Sequence, residues 1–245
     1  KFFNAEKCII YTDVEGVFTT DPNLTKAAKK IDKISYEEML EMASLGAKVM
    51  QPASIQEARL NRIEVDVRST FSKKLGTTIT KKKNIINKNS IRGISFTKND
   101  AKITLIGIKD KPGVAASIFK PLYENSINVD MVVQNISANS RETDLTFTIK
   151  LEDLIKTKKI LQTNKSIKFK NLIVNKNVSK VSIVGVGMIT TPGVTYRMFK
   201  ALAKKKINIE VISTSEIKIS VLINKKNLKK SVEILHQEFK LNYNL

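Results

Sequence analysis

The chain has 245 residues, a length that suits one large or two to three small domains, and its 42% hydrophobic content suffices for ordinary cores. No apolar run reaches the roughly 20 residues of a membrane span, and no signal-peptide pattern follows the first residue, Lys1. The net charge of +20 raises a nucleic-acid reading, but Arg occurs only at positions 59, 62, 68, 92, 141 and 197 and there is no Trp to stack on bases. The excess is Lys in a chain rich in Asn and Ile, which reads as a compositional bias on a solvated surface.

The first region runs from Lys1 to about Gly76. It opens with "CIIYTDV", a strand that contains the single cysteine, Cys8. One cysteine cannot form an internal disulfide, so a reducing, cytoplasmic setting is expected. A turn-rich "EGVFTTDPN" follows. In "SYEEMLEMASLGAKVM" the apolar residues Met39, Leu40, Met42, Ala43 and Leu45 recur at helical spacing, with Ser35 and Glu38 as a capping box and Gly46 as the stop. "PASIQEARLN" is a second helix with Pro in its first turn, and "IEVDVRST" alternates as a strand. The segment from Ser72 to Asn89 is rich in Lys, Asn and Thr and reads as an exposed connection.

From Ile91 onward the chain repeats itself. "DKPGVAASIFKPLYENSINVDMV" (110–132) returns about eighty residues later as "TTPGVTYRMFKALAKKKINIEVI" (190–212). The first unit reads βαββαβ: "KITLIGI", a helix with Val114, Ile118, Leu122 and Ile127 on one face, "NVDMVVQNI", "TDLTFTIKL", the helix "LIKTKKILQTN", and "KNLIVNKNV". Pro121 is expected to kink or break the first helix. The second unit repeats the order from "KVSIVGVG" to the helix "LKKSVEILHQEF". His236 in that helix reads as a surface residue. The closing "KLNYNL" is short for a strand, so "SIRGISFT" (90–97) is the candidate to complete the second unit, which would place one domain inside the other. Pairing two such units edge to edge would cover exposed strands.

Each unit starts a helix at Pro-Gly-Val. A helix start offers unpaired N–H groups and partial positive charge, and Gly admits a ligand to the backbone. Such a site suits a carboxylate. Asp110, just before the first loop, could hold an ammonium group, and Asn128, Asp130 and Gln134 alternate on the next strand as if on one face. A lone Asp-Lys-Pro-Gly would be an ordinary turn, whereas its duplication points to a free amino acid as ligand.

The two units resemble the paired ACT domains of aspartate kinases, and "STSEIKISVLI" is specific to that family among ACT proteins. "YTDVEGVFTTDP", "KIDKISYEEMLEMASLGAKVMQPASI" and "VRSTF…GTTI" resemble the C-terminal part of the same family's catalytic domain, in the family's order. The implied fold class is α/β: a C-terminal piece of an amino-acid-kinase α/β sandwich (1–80), a linker and strand (81–97), and two ferredoxin-like βαββαβ ACT domains (98–176 and 177–245). The implied reaction transfers the γ-phosphoryl of ATP, with Mg2+, to the side chain of aspartate. The implied nucleotide contacts are Thr12, Asp13, Phe18, Asn23 and Lys48. Relatives commonly carry Tyr and Arg where this chain has Phe18 and Asn23.

The implied effector contacts in the first ACT unit are Asp110, Gly113, Ala115, Asn128, Val129, Asp130, Gln134, Ser137 and Thr146. In the second they are Val194, Thr195, Asn208, Ile209, Ser215 and Glu216. Val129, Val194 and Ile209 are suited to backbone contact only. The expected effectors are lysine, threonine or both. The expected assembly is a homo-oligomer through ACT domains or a hetero-oligomer with a full-length kinase chain, with no specific nucleic acid and no membrane. The family's Lys-Phe/Tyr-Gly-Gly-Thr phosphate strand and its aspartate-binding residues are not among these 245 residues. The chain alone is therefore expected to be inactive, as a piece of a longer kinase or as a noncatalytic regulatory subunit.

Overall fold

The structure, a computed structural model, describes residues 5–242 apart from 48, 83–84, 86–88, 137–141 and 165. The chain divides into two compact units, Lys1–Thr97 with Val181–Leu245, and Lys98–Lys180.

The first unit begins with β1 (Lys7–Thr12), β2 (Lys33–Ser35), α1 (Tyr36–Ser44), α2 (Pro52–Asn61), β3 (Glu64–Ser69) and β4 (Thr77–Thr80). These strands form a sheet in the order β1-β3-β4-β2, with β1 parallel to β3 and β3 antiparallel to β4. The capping box is present: the Ser35 hydroxyl accepts the Glu38 N–H, and the Glu38 carboxylate accepts the Ser35 N–H. Ile34, Met39, Met42, Ile55, Val67 and Ile79 fill the core between sheet and helices. Asp66 is buried in β3. Burial pulls its carboxyl upward, but hydrogen bonds from Arg68, Thr78 and Lys7 outweigh this and hold it below the ordinary carboxylate range.

The segment 72–89 is not simply an exposed connection. Thr77–Thr80 is a largely buried strand between β3 and β2. Its polarity is absorbed internally: the Thr77 hydroxyl accepts the Val17 N–H at 2.8 Å and donates to the Ile31 carbonyl at 2.6 Å. A hydroxyl whose bonds are all made can sit in a core at little cost.

Two long strands follow. β5 (Gly93–Lys109) joins the predicted strands 90–97 and 102–108, and β8 (Asn171–Val184) joins "KNLIVNKNV" to "KVSIVG". Between them lie α3 (Val114–Glu124), β6 (Val129–Ile136), β7 (Glu142–Lys150) and α4 (Leu154–Thr163). In the second unit the strand order is β6-β7-β5-β8, with Ile103, Leu105, Ile118, Leu122, Phe147 and Leu161 in its core. α3 runs unbroken through Pro121, which sits late enough in the helix to forfeit one intrahelical bond without ending it.

The chain then returns to the first unit through α5 (Val194–Lys204), β9 (Ile209–Ser215), β10 (Lys218–Asn224) and α6 (Leu228–Glu238). Here the order is β5-β8-β10-β9, so Gly93–Thr97 lies beside Val181–Val184 and the Arg92 N–H donates to the Val184 carbonyl at 2.7 Å. The two repeats match in backbone detail. Gly113 and Gly193 cap α3 and α5 with φ of 86° and 85°. Ser126 and Lys206 follow the same helices at φ 57° and 56°.

His236 is not on the surface but 1% exposed. α6 turns it inward, onto the Thr19 hydroxyl at 2.8 Å. That hydroxyl oxygen also accepts the Lys29 N–H and keeps both a proton and a second lone pair, so it can meet His Nε2 as donor or as acceptor according to the ring's tautomer. Burial pushes the His236 pKa down to about 4. Between about pH 6.5 and 4 the unfolded chain takes up a proton that the folded chain refuses, so stability falls as pH drops through that window. We expect urea unfolding to show this fall, on the order of 2–3 kcal/mol, and His236→Gln to flatten it. An equal slope in the variant would refute the assignment.

Candidate functional site

Of the first group of predicted residues, Thr12 and Asp13 lie at the C-terminal end of β1. In open α/β sheets ligands bind beyond the carboxyl ends of parallel strands. Thr12 closes β1 opposite Ser69 of β3, and its hydroxyl donates to the exposed Asp13 carboxylate at 3.0 Å. The Thr70 N–H donates to the Thr12 carbonyl, tying the two strand ends together. Phe18 is half-buried in an isolated bridge to Lys30. Asn23 is exposed, with its N–H on the Asp21 carboxylate. Lys48 lies outside the described residues. Among the described residues no group of three His, Cys, Asp or Glu side chains could hold a metal. A single exposed carboxylate at Asp13 suits a Mg2+ carried mainly by nucleotide phosphates.

The second group surrounds the start of α3. Asp110 and Gly113 are exposed, Ala115 is half-buried, and a Cβ at Gly113 would meet nothing within 4 Å. The Val114 N–H is taken by the Lys111 carbonyl and the Ser117 N–H by Gly113. The amides of Ala115 and Ala116 belong to the first turn, where no intrahelical acceptor exists. The result is a helix start with no side-chain cap, three residues after the exposed Asp110.

β6 departs from the simple alternation. A bulge falls between Val129 and Val132. Val129 pairs with Ile149 and Gln134 with Leu145, so both share the side of the core, whereas Asp130 turns to the other side and forms an ion pair with Lys180. Asn128, Asp130 and Gln134 therefore do not share one face. The extra residue that reverses the register leaves no mark in the residue types of "NVDMVVQ". Thr146 lies on the side opposite the core, its hydroxyl 3.0 Å from that of Thr104. Ser137 lies outside the described residues.

In the second repeat Val194 is 3% exposed, in the core. Ile209 packs against the same core, as Val129 does against that of the other repeat. These three can reach a ligand through backbone atoms only. Thr195, Asn208, Ser215 and Glu216 are exposed. Gly193, like Gly113, faces open space. An open cleft of about 770 Å³ between α4 and β8, lined by Leu154, Lys158, Lys159 and Asn175 among others, includes none of the predicted residues.

Sequence reasoning missed Glu38 as more than a cap. Its Oε1 accepts the Val186 N–H at 3.0 Å, and Arg92 Nε lies 3.6 Å from its Oε2, with both side chains almost fully buried. Burial pulls the Arg92 pKa down against the opposing charge of Glu38. The only hint was a buried-type Arg in "SIRGIS".

The architecture is α/β, with a Gly-capped strand–helix turn built twice and a separate segment in which β1 runs parallel to β3. The comparisons agree. The ACT domain matches residues 103–164 and 181–239, and the amino acid kinase family matches residues 1–69. The aspartokinase of Pseudomonas aeruginosa is 46% identical over 240 residues, which cover 97% of this chain and 58% of that protein. The regulatory subunit of aspartate kinase from Thermus thermophilus is 37% identical, with a TM-score of 0.57, and covers 61% of this chain and 99% of its own. E. coli aspartokinase III, solved in complex with aspartate and ADP, is 27% identical with a TM-score of 0.81, over 96% of this chain and 53% of that one. The chain belongs to the aspartate kinase family and spans a little over half the length of the curated relatives it matches.

Gly113 and Gly46 separate backbone strain from crowding. Both have positive φ, but a Cβ at Gly46 would sit 2.3 Å from the Phe96 carbonyl oxygen, whereas one at Gly113 meets nothing. Gly113→Ala should cost about 1 kcal/mol by denaturant unfolding. Gly46→Ala should cost about 1–3 kcal/mol more. Equal losses would show that the Gly46 contact does not hold in solution.

Proposed function

We propose that the chain is the C-terminal portion of an aspartate kinase, which transfers the γ-phosphoryl of ATP to the side-chain carboxylate of L-aspartate to give 4-phospho-L-aspartate, the first step toward lysine, threonine and methionine. Its own contribution is regulatory: the ACT pair binds lysine, threonine or both. The observation that carries this reading is the same open, Gly-capped helix start built twice, at φ 86° and 85°, in a chain of this family. E. coli aspartokinase III has been solved in complex with lysine and aspartate.

In the proposed complex the amides at Ala115 and Ala116 take the α-carboxylate and Asp110 takes the α-ammonium. The exposed or half-buried polar groups available to read the rest are Asn128 and Thr146 in the first repeat and Thr195, Asn208, Ser215 and Glu216 in the second. The bulge leaves Asp130 engaged with Lys180, so Asp130 is the least available of the acidic candidates. At the kinase segment, Thr12 and Asp13 would contact ATP and its Mg2+, with Phe18 and Asn23 at the margin and Lys48 near the phosphates. Phosphoryl transfer is mainly positioning and charge neutralisation, which suits such a set. The setting is cytoplasmic, and among the described residues no helix is long and apolar enough to cross a membrane.

A second reading is a noncatalytic regulatory subunit that assembles with a full-length kinase. It is favoured by the match that covers 99% of the Thermus regulatory subunit. It is weakened by the kinase-family match over residues 1–69.

Titration calorimetry with L-threonine, L-lysine and both together tests the shared part of these readings. At least one amino acid should bind the parent chain and raise its melting temperature. Asp110→Ala, which leaves an ammonium unpaired, should bind about thirty-fold more weakly or worse. No binding to the parent chain, or equal binding by Asp110→Ala, contradicts the site.

A further inference from the structure

The two repeats differ in one respect that their sequences do not advertise. In the first, β5 ends at Lys109 and the Asp110–Gly113 turn follows directly. In the second, a short 3-10 segment, Val186–Thr190, stands between the end of β8 and the turn at Gly193. It is a stiff connector. The Met188 N–H donates to the Gly185 carbonyl, the Thr191 N–H to Met188, and the Thr191 hydroxyl to Gly187 at 2.8 Å. These bonds link Thr191 back through the segment to Gly185, the residue before Val186.

The N–H of Val186 leaves the repeat altogether. It donates to Oε1 of Glu38, the third residue of α1. The other oxygen of that carboxylate closes the α1 capping box, accepting the Ser35 N–H at 3.3 Å and the Ser35 hydroxyl at 3.0 Å. One buried carboxylate thus serves two segments, and neither bond can be lost without exposing a partner group to a dry environment. The backbones here are too close for slack. A Cβ at Gly185 would lie 2.3 Å from the Ser90 carbonyl oxygen, one at Gly46 would lie 2.3 Å from the Phe96 carbonyl oxygen, and one at Gly93 would lie 3.0 Å from the Thr19 carbonyl oxygen. Along its length α1 is also held to the Gly93–Thr97 strand, where the Ser95 hydroxyl donates to the Met42 carbonyl at 3.3 Å.

We propose that Glu38 is a coupling residue, through which the strand–helix loop of the second ACT repeat, Val186–Gly193, sets the N-terminal turn of α1 in the kinase segment. An amino acid seated on the Gly193 turn shifts the connector, the connector pulls or releases the Val186 N–H, and the Glu38 carboxylate tightens or loosens the cap. The ligand-driven half of this device rests on the effector reading above, whereas the mechanical link does not.

The test is hydrogen exchange with mass spectrometry on the whole chain. Val186 is the first residue of the 3-10 segment and follows an extended Gly185, so Val186→Pro removes the N–H at a position whose backbone tolerates proline, while the Ser35–Glu38 capping box is untouched. Without any ligand, Val186→Pro should raise exchange in α1 about ten-fold over the parent and over Val186→Ala, which keeps the N–H, and should leave α2 unchanged. Glu38→Gln should give a smaller rise in the same peptides, and it decides the matter if Val186→Pro does not fold. Equal α1 exchange in the deciding variant and the parent overturns the link. With L-threonine or L-lysine, an amino acid that binds by calorimetry should change α1 exchange in the parent but not in Val186→Pro. Binding that alters the 186–193 loop and leaves α1 unchanged in the parent also overturns it. If neither amino acid binds, the effector reading fails and the link is judged by the ligand-free comparison.

Discussion

The geometry of the regulatory half depends on one backbone conformation, the left-handed residue that starts α3 and α5. At φ near +86° an L side chain is strained, and glycine at positions 113 and 193 removes that penalty. This conformation turns the chain from strand into helix with no cap side chain in the way, so the first-turn amides open onto empty space. A Ser or Asp cap would satisfy those amides and close the site. The helix start without a side-chain cap is thus a local sacrifice of stability.

The kinase segment shows the opposite strategy at α1. Its N-terminus is capped twice over, by the Ser35 hydroxyl and the Glu38 carboxylate, and is buried. A buried acid needs partners, and Glu38 draws them from Arg92 and Val186. Arg92 immediately precedes β5, and Val186 opens the segment between β8 and α5. Glycines at 46, 93 and 185 then permit the backbones to approach until no atom can be added. Close packing of this kind resists continuous deformation.

Local signals made much of this legible in the sequence. The capping box needs only Ser35 and Glu38, three residues apart, and α2 announces itself with Pro52. The duplication was visible because Pro-Gly-Val and Ile-Asn recur at matching distances. The failures share a cause in long-range contact. Thr77 reads as a polar linker residue until Val17 and Ile31, 60 and 46 residues away, satisfy its hydroxyl. His236 reads as surface until Thr19, 217 residues away, meets it. The β6 bulge is invisible because the apolar run Met131–Val133 carries no alternation that would show where the register shifts. Glu38 was half legible: its cap is local, its second bond is not.

The central claim is that the open start of α3 is an amino-acid site. Amide spectra of the isotopically labelled chain, recorded as L-threonine or L-lysine is added, address it most directly. The account predicts saturable shifts concentrated at Gly113–Ser117 and Asp110, with the Ala115 and Ala116 amides moving furthest as they take up the carboxylate. Saturable shifts confined to other elements, with Ala115 and Ala116 unmoved, would contradict it.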